Sequence, residues 1–316
     1  KKRDDATNAR LWAFGKYDVP GVWAKNYRGD GVVIAVVDTG VNYNHPAFKN
    51  NLWVNRIEKN GRDGYDDDGN GLVDDIYGYD FFNMDSDPMD DQAHGSHVAG
   101  TIAATDVKNL FYGVAPQARI MSVKSHSSLG LGTEEAVVRS ILYAVDNGAD
   151  IINCSWGGAP EAADYSQILF DVIAYAGSKG VLVVVAAGND GANSDAIDNY
   201  PANYDLENIV SVASLTKTGN FSYFSNFGVE TVDIAAPGSN IYSVNYKGGY
   251  RFFSGTSMAT PFISGVVALY IDKLGLSDQT SIERAQTLVS ILRDTAIHND
   301  LTIDKVGFGE VSLTDF

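Results

Sequence analysis

The sequence predicts an α/β fold in three layers, α/β/α, built on a mainly parallel central sheet. Short apolar runs rich in β-branched residues alternate with segments of helical periodicity, the pattern of successive βαβ units. The runs are continuously apolar rather than alternating, as in strands covered by helices on both faces. A length of 316 residues with 32 glycines suits one large domain with many tight turns.

Gly31–Val37 reads as the first buried strand, followed by Arg119–Lys124, Ala149–Cys154 and Val181–Ala187. Ile209–Ser214 and Val232–Ala235 add two more. Thr133–Asn147 reads as a helix with Thr133 as N-cap and Gly148 as its stop, and Asp164–Lys179 as another ended by Gly180. His94–Thr101 looks like a helix start packed through its glycines, and Ser257–Leu274 and Ser281–Ala296 close the chain as helices. No repeat, low-complexity tract or linker divides the sequence, so a single domain over residues 1–316 is expected. The long irregular stretch Asp63–Asp91 is rich in Gly and Asp, and loops of that length usually have a job.

Composition narrows the function. With 40 acidic against 23 basic side chains the formal net charge is −17, which repels a phosphate backbone and argues against a nucleic-acid partner. The same charge suits divalent cations and cationic substrates. The longest apolar runs, Val181–Ala187 and Val266–Ile271, fall far short of the roughly 18 residues a membrane helix needs. The single Cys154 excludes an intramolecular disulfide and reads as a buried structural thiol. No apolar h-region follows Lys1–Lys2–Arg3–Asp4–Asp5, so the sequence shows no signal peptide, and the chain is either cytoplasmic or a processed form.

Four polar residues stand where chemistry would gather. Asp38, in Asp38–Thr39–Gly40, ends the first strand, and functional groups collect outside the carboxyl ends of such sheets. Asp-Thr-Gly also marks aspartic proteases, but they need a second such segment and this chain has none. His94 and His97 are three apart and invite a zinc reading, yet no Glu or Cys stands nearby at a usual ligand spacing. Ser257, in Gly255–Thr256–Ser257–Met258, opens an apolar helix, where free N–H groups favour a developing negative charge. Asn189 follows the most apolar strand, and an amide there can donate to an oxyanion.

These four segments resemble the subtilisin-like serine proteases, the subtilases, from about Asp30 to about Gly275 and in the family's Asp, His, Ser order. Gly113–Val114–Ala115–Pro116 and Ala235–Ala236–Pro237–Gly238 add to the match. The resemblance implies an extracellular or cell-surface serine endopeptidase, acting on protein and peptide substrates as a monomer and held by an inhibitory propeptide before maturation. Ser257 would be the nucleophile, His94 its base, Asp38 the group orienting His94, and Asn189 the oxyanion donor. His97 is read as packing, and His45, His126 and His298 as structural or exposed. A non-catalytic binding module of the same fold is the first alternative, and a calcium-dependent structural module the second.

In subtilases the substrate adds as a strand between two segments. These correspond here to Ser128–Gly132, with Gly130, Leu131 and Gly132, and to Ser155–Trp156–Gly157–Gly158. The pocket for the residue before the scissile bond would lie between Ser155–Gly157 and Ala186–Asn189, with Asp190 and Asn199 at its rim. With Asp195 and Asp198 nearby, tolerance of a basic residue there, or a mild preference for one, is expected.

The acidic stretch has its own logic. Asp66, Asp68, Asn70 and Asp74 stand at positions one, three, five and nine of an EF-hand-like loop, with Gly71 at the turn and Leu72 offering a carbonyl. Position twelve is Tyr77 rather than Glu, so Asp75 or another carboxylate must complete the shell of a calcium ion. The tight calcium site usual in the family is expected to be absent, because Ala47 follows Pro46 and Val107 stands at a ligand position.

Overall fold

Strand formation follows the β-branched runs. The structure, a computed structural model, describes residues 10–316 apart from 107, 109–110, 158–164, 278 and 315. The expectations on Lys1–Asp5, Val107, Gly158 and Asp164 lie outside the described residues. In chain order the strands are β1 (Val33–Asp38), β2 (Gly78–Asp80), β3 (Thr105–Asp106), β4 (Phe111–Tyr112), β5 (Arg119–Lys124) and β6 (Ile151–Cys154). Then come β7 (Leu182–Ala186), β8 (Ile209–Leu215), β9 (Ile234–Pro237), β10 (Ile241–Val244), β11 (Tyr250–Phe253) and β12 (Gly309–Glu310). Eight of them form one sheet in the order β12-β9-β8-β7-β6-β1-β5-β2, and its paired strands run parallel. β10 with β11 and β3 with β4 make two antiparallel ribbons.

Along β1, β6 and β7 the period of two sorts the side chains between two cores, while Ala213 and Leu215 of β8 and Ala235 of β9 join a third, smaller cluster. Ile34, Val36, Ile151, Leu182 and Val184 belong to one core, while Ala35, Val37, Ile152, Val183 and Val185 belong to the other. The helices Trp12–Lys16, Val19–Ala24, His94–Ala103, Thr256–Leu274 and Ile282–Thr295 pack on the first face. Glu134–Asp146 and Gln167–Ser178 pack on the second. Three layers result, as the continuous apolarity of the strands predicted. Each fully buried Val, Leu or Ile contributes about 1.5–3 kcal/mol, so covering both faces supplies much of the stability.

Caps set the helix limits. Thr133 Oγ1 accepts from Ala136 N at 3.2 Å, fixing the start of Glu134–Asp146. Ser166 Oγ accepts from Leu169 N at 3.1 Å, which fixes the start of the next helix at Gln167. The Thr256–Leu274 helix is buried on nearly every side, as an all-round apolar helix must be. Its Pro261 lacks an N–H, so the Ser257 carbonyl four residues earlier gains no helical bond.

β1 lies between β5 and β6, and the chain passes from one side of it to the other. This change of direction opens a crevice at the carboxyl ends of the strands. Asp38 ends β1, Ser155 follows β6 directly and Asn189 stands three residues after β7.

Candidate active site

Two close backbone approaches bring His94 to Asp38. A Cβ on Gly95 would lie 2.1 Å from the Gly40 carbonyl oxygen, and one on Gly40 would lie 2.6 Å from that of Pro88, so side chains there would push the helix off the strand end. Gly40 also has φ 100°, in the left-handed region that disfavours other residues. Asp90, which the sequence reading passed over, secures the junction. Its Oδ2 accepts from Ser96 N at 2.9 Å, and its Oδ1 accepts from Ala93 N at 2.9 Å and Thr39 Oγ1 at 3.0 Å. Thr39 Oγ1 in turn accepts from Gly95 N at 2.9 Å. The signal for Asp90 was an Asp four residues before His94, masked by the many acids around it.

His94 Nδ1 then lies 2.8 Å from Asp38 Oδ1 and 2.9 Å from Oδ2. Asp38 is buried and its Oδ1 also accepts from Thr39 N at 2.7 Å. Burial alone would raise the Asp38 pKa, but the charge and hydrogen bond of His94, with smaller help from His126 and the Thr39 amide, hold it below the usual carboxylate value. Burial likewise pulls the His94 pKa down, and the charge and hydrogen bond of Asp38, with Asp90 behind, raise it above the ordinary imidazole value. Lys124, also missed from sequence, is almost fully buried against the same strand end. Its Nζ donates to Thr39 O at 3.0 Å, His126 O at 2.7 Å and Asp91 Oδ1 at 2.9 Å.

Asp38, His94, His126, Gly130, Ser155 and Trp156 line one cavity. Trp156 Nε1 donates to Val37 O at 2.8 Å, which anchors the indole between this cavity and the next. The second cavity is lined by Trp156, Gly157, Asn189, Asp190, Asn199, Thr256 and Ser257, among others. Ser257 is half-buried, second in its helix, and the preceding Gly255 has no side chain with which to cap that end. Asn189 Oδ1 accepts from Thr256 N at 2.8 Å and Thr256 Oγ1 at 3.0 Å, which leaves Nδ2 as the donor available beside Ser257. Among the described residues no hydrogen bond joins His94 to Ser257, and catalytic bonds often tighten only when substrate is present.

The remaining histidines and the residues expected to bind substrate have defined places as well. His97 faces away from His94, with Nε2 donating to Ile241 O at 3.0 Å, and burial pushes its pKa down to about 3. The two histidines therefore do not converge on a metal. His126 is buried, with its ring 5.5 Å from that of Trp156, and forms part of the cleft wall. Gly130, Leu131 and Gly132 are exposed on a loop closed by the bridge between His126 and Gly132. Asp190 is exposed at the mouth of the second cavity, but Asn199 is buried rather than at the rim.

The subtilase family profile matches residues 29–309. The chain belongs to the subtilase family. It is 34% identical over 294 residues to the subtilisin-like protease 1 of Plasmodium berghei, covering 87% of this chain and 47% of that protein. It is 35% identical over 298 residues to the major intracellular serine protease of Bacillus subtilis, covering 93% of this chain and 85% of the relative. The crystal structure of a cold adapted subtilisin-like serine proteinase superposes with a TM-score of 0.70 at 32% identity, covering 90% of each chain. The chain thus spans about half the length of the plasmodial subtilase it matches.

The acidic loop of this subtilase draws in a carboxylate from outside the expected set. Ligand oxygens of Glu58, Asp66 and Asp68 lie within 4.8 Å of one another. Glu58 sits on the short helix Arg56–Asn60 and accepts from Asp67 N at 2.7 Å and Asp74 N at 3.0 Å. Asp75 stands beside that trio, accepting from Asn55 Nδ2 at 3.0 Å, Asn70 Nδ2 at 3.1 Å and Tyr143 Oη at 2.6 Å, and the same two amides also donate to Asp68. Burial, with Asp68 and Glu58 adding to it, pushes the Asp75 pKa up to about 6, even though Tyr143 and Asn70 pull it down. Asp74 turns its carboxylate to Gly64 N at 2.8 Å, and the Leu72 N–H donates to Asn70 Oδ1 at 2.8 Å.

Proposed function

We propose that this subtilase is a serine endopeptidase in which Ser257 is the nucleophile. His94 takes the Ser257 proton and returns it to the leaving amine, and Asp38 holds the imidazole in its working tautomer. Asn189 Nδ2 and the N–H groups at the start of the Thr256–Leu274 helix stabilise the oxyanion. The observation that carries this reading is the Asp38–His94 contact at 2.8 and 2.9 Å, in a cavity that shares Trp156 with the neighbouring one lined by Ser257 and a pre-oriented Asn189. The peptide adds as a strand between the loop bearing Gly130, Leu131 and Gly132 and the segment Ser155–Trp156–Gly157. Its side chain before the scissile bond enters the cavity bounded by Asp190 and Asn199.

Calcium is the proposed structural ion. Glu58, Asp66 and Asp68 offer the hard oxygens it takes, with Asn70, the Leu72 carbonyl, Asp74 and Asp75 adjacent. Its contribution is to neutralise crowded carboxylates, and no catalytic step passes through it. We place the protein outside the cell, where calcium is plentiful. The name of the Bacillus subtilis relative, an intracellular protease, supports the competing location. Among the described residues no helix is long and apolar enough to cross a membrane. A monomeric single domain over residues 1–316 and an inhibitory propeptide before maturation complete the proposal.

A fluorophosphonate probe tests the chemistry. Wild type should label and cleave an unstructured protein, while Ser257→Ala should do neither. A folded wild type that neither labels nor cleaves would give the lead to the binding-module reading.

A further inference from the structure

The residue before His94 has an unusual backbone. Ala93 is buried with φ 109°, in the left-handed region that a residue with a side chain seldom adopts. It also occupies the cap position of the His94–Ala103 helix, yet alanine has no polar group with which to cap. Neighbouring side chains supply what it lacks. Ala93 N donates to Asp90 Oδ1 and Ser96 N to Asp90 Oδ2, both at 2.9 Å. Gly95 N donates to Thr39 Oγ1 at 2.9 Å, and His94 N to Gln92 Oε1 at 3.0 Å. Both of those partners are themselves tied to Asp90, since Thr39 Oγ1 donates to its Oδ1 at 3.0 Å and Gln92 N at 2.9 Å. One buried carboxylate thus gathers the whole first turn, and backbone strain of this kind persists only where surrounding contacts over-determine it.

The four groups that donate to Asp90 are neutral, so its charge is left to act on the ring nearby. The positive end of the helix works the other way and opposes a proton on His94. The other titratable or charged groups around His94 are Asp38 at the end of β1, Lys124 and His126 at the end of β5, His97 in the same helix, and Asp91, which pairs with Lys124 at 2.9 Å. Burial lowers the pKa of His97 and of His126, so both are neutral where His94 titrates. Against the pull of burial, Asp38 and then Asp90 raise the His94 pKa.

We propose that Asp90 is a positioning residue for His94: it holds the strained joint at Ala93 that turns the ring towards Asp38, and its charge supports the imidazolium formed when His94 takes a proton. Asp38 bonds the ring directly, whereas Asp90 acts through the backbone and through space. The inference rests on the reading of His94 as the base.

The test follows His94 by imidazole NMR in the Ser257→Ala protein, and by the pH profile of the active enzyme. Asp90→Asn keeps the shape and removes the charge. The His94 titration midpoint and the acid limb of kcat/KM should both move to lower pH, and kcat should fall by up to about a hundredfold with KM little changed. Thr39→Val cuts the link to Gly95 but keeps both carboxylates, so kcat should fall while the midpoint and the limb stay in place. An unmoved titration in Asp90→Asn would overturn the proposal. So would equal shifts in Asp90→Asn and Thr39→Val, which would assign the effect to a displaced ring. Should Asp90→Asn not fold, Ala93→Gly relieves the strain, because glycine adopts this backbone freely. The double variant Asp90→Asn with Ala93→Gly should then fold, with the His94 midpoint still lowered. A double variant that does not fold would overturn the proposal by making Asp90 a requirement of the fold rather than of His94. The NMR titration needs no activity, so failure of wild type to label with a fluorophosphonate would count against the peptidase reading alone.

Discussion

His94 Nδ1 reaches both carboxylate oxygens of Asp38, at 2.8 and 2.9 Å, and Asp38 is buried. A carboxylate so placed stabilises the imidazolium as well as orienting the ring, so His94 keeps its proton above the ordinary value of 6.5. The base must be neutral to act.

The acid limb of kcat/KM against pH should therefore have an apparent pKa above 6.5. In Asp38→Asn, kcat should fall by about 10⁴-fold and the remaining limb should move to lower pH. The pair also contributes to stability in a defined window. The depressed Asp38 supplies stability that is present above its unfolded value of 3.8 and lost as pH falls through its folded value. The raised His94 supplies stability that is present below 6.5 and lost as pH climbs through its folded value. Denaturation midpoints of wild type and Asp38→Asn should differ most between those limits, and a uniform difference at every pH would contradict the coupling.

Asn189→Ala should lower kcat by about 10²–10³-fold with little change in KM, because the lost donor serves the oxyanion rather than the bound ground state. Thr256 donates to Asn189 Oδ1 twice, at 2.8 and 3.0 Å, so Thr256→Val should reproduce part of the loss by freeing the amide to turn. Steady-state kinetics on one peptide decide it. A rise in KM with kcat unchanged would mean that Asn189 binds substrate instead.

The sheet was legible because its strands are apolar without interruption. Each predicted strand falls within two residues of its observed limits, and β5 was expected at Arg119–Lys124, where it lies. Short elements such as Trp12–Lys16, β2 and the β10–β11 ribbon were not legible, since a few residues carry too little periodicity to separate from loop. Asp38, His94, Asn189 and Ser257 stood out because each sits in a run of small or apolar residues. Asp90 and Glu58 did not, since each is one acid among many and its importance comes from a tertiary approach. Asn199 was noticed for its position but misplaced at the rim, because depth belongs to the packing of Ala187 and Gly157 around it.

Removal of calcium should lower the melting temperature, and Glu58→Gln should abolish most of that difference although Glu58 lies outside the Asp66–Asp75 loop. At a calcium concentration a hundredfold above its Kd the ion would contribute about 2.7 kcal/mol. The effect should depend on pH in a stated direction. Without the ion, the folded Asp75 has its pKa raised from 3.8 to about 6, so stability declines as pH rises between those values. Calcium favours the ionised carboxylates, so its stabilisation should grow over the same interval. Calorimetry with calcium and with a chelator from pH 4 to 7 measures both slopes, and parallel curves would remove Asp75 from the site.

Arg284 and Asp150 form a buried ion pair far from the crevice, with Arg284 Nη2 2.5 Å from Asp150 Oδ1 and side chains 2% and 8% exposed. The pair ties the Ile282–Thr295 helix to the start of the sheet, because Asp150 Oδ2 also accepts from Val33 N at 2.7 Å and Arg284 Nη1 donates to Gly180 O at 3.3 Å. Removing one partner leaves the other charge buried, and that typically costs about 3–5 kcal/mol, whereas the intact pair adds little over apolar packing. Arg284→Met should therefore destabilise by that amount, measured as a fall in the urea midpoint with an unchanged slope. The double variant Arg284→Met with Asp150→Asn should recover part of the loss, since no charge is then stranded while the Val33 N–H retains an acceptor. The acid limb of the residual peptidase activity should not move in either variant, since neither group touches the Asp38–His94 pair. A loss well under 1 kcal/mol in Arg284→Met would show that water reaches Asp150 and that the C-terminal helix is held by its apolar face alone.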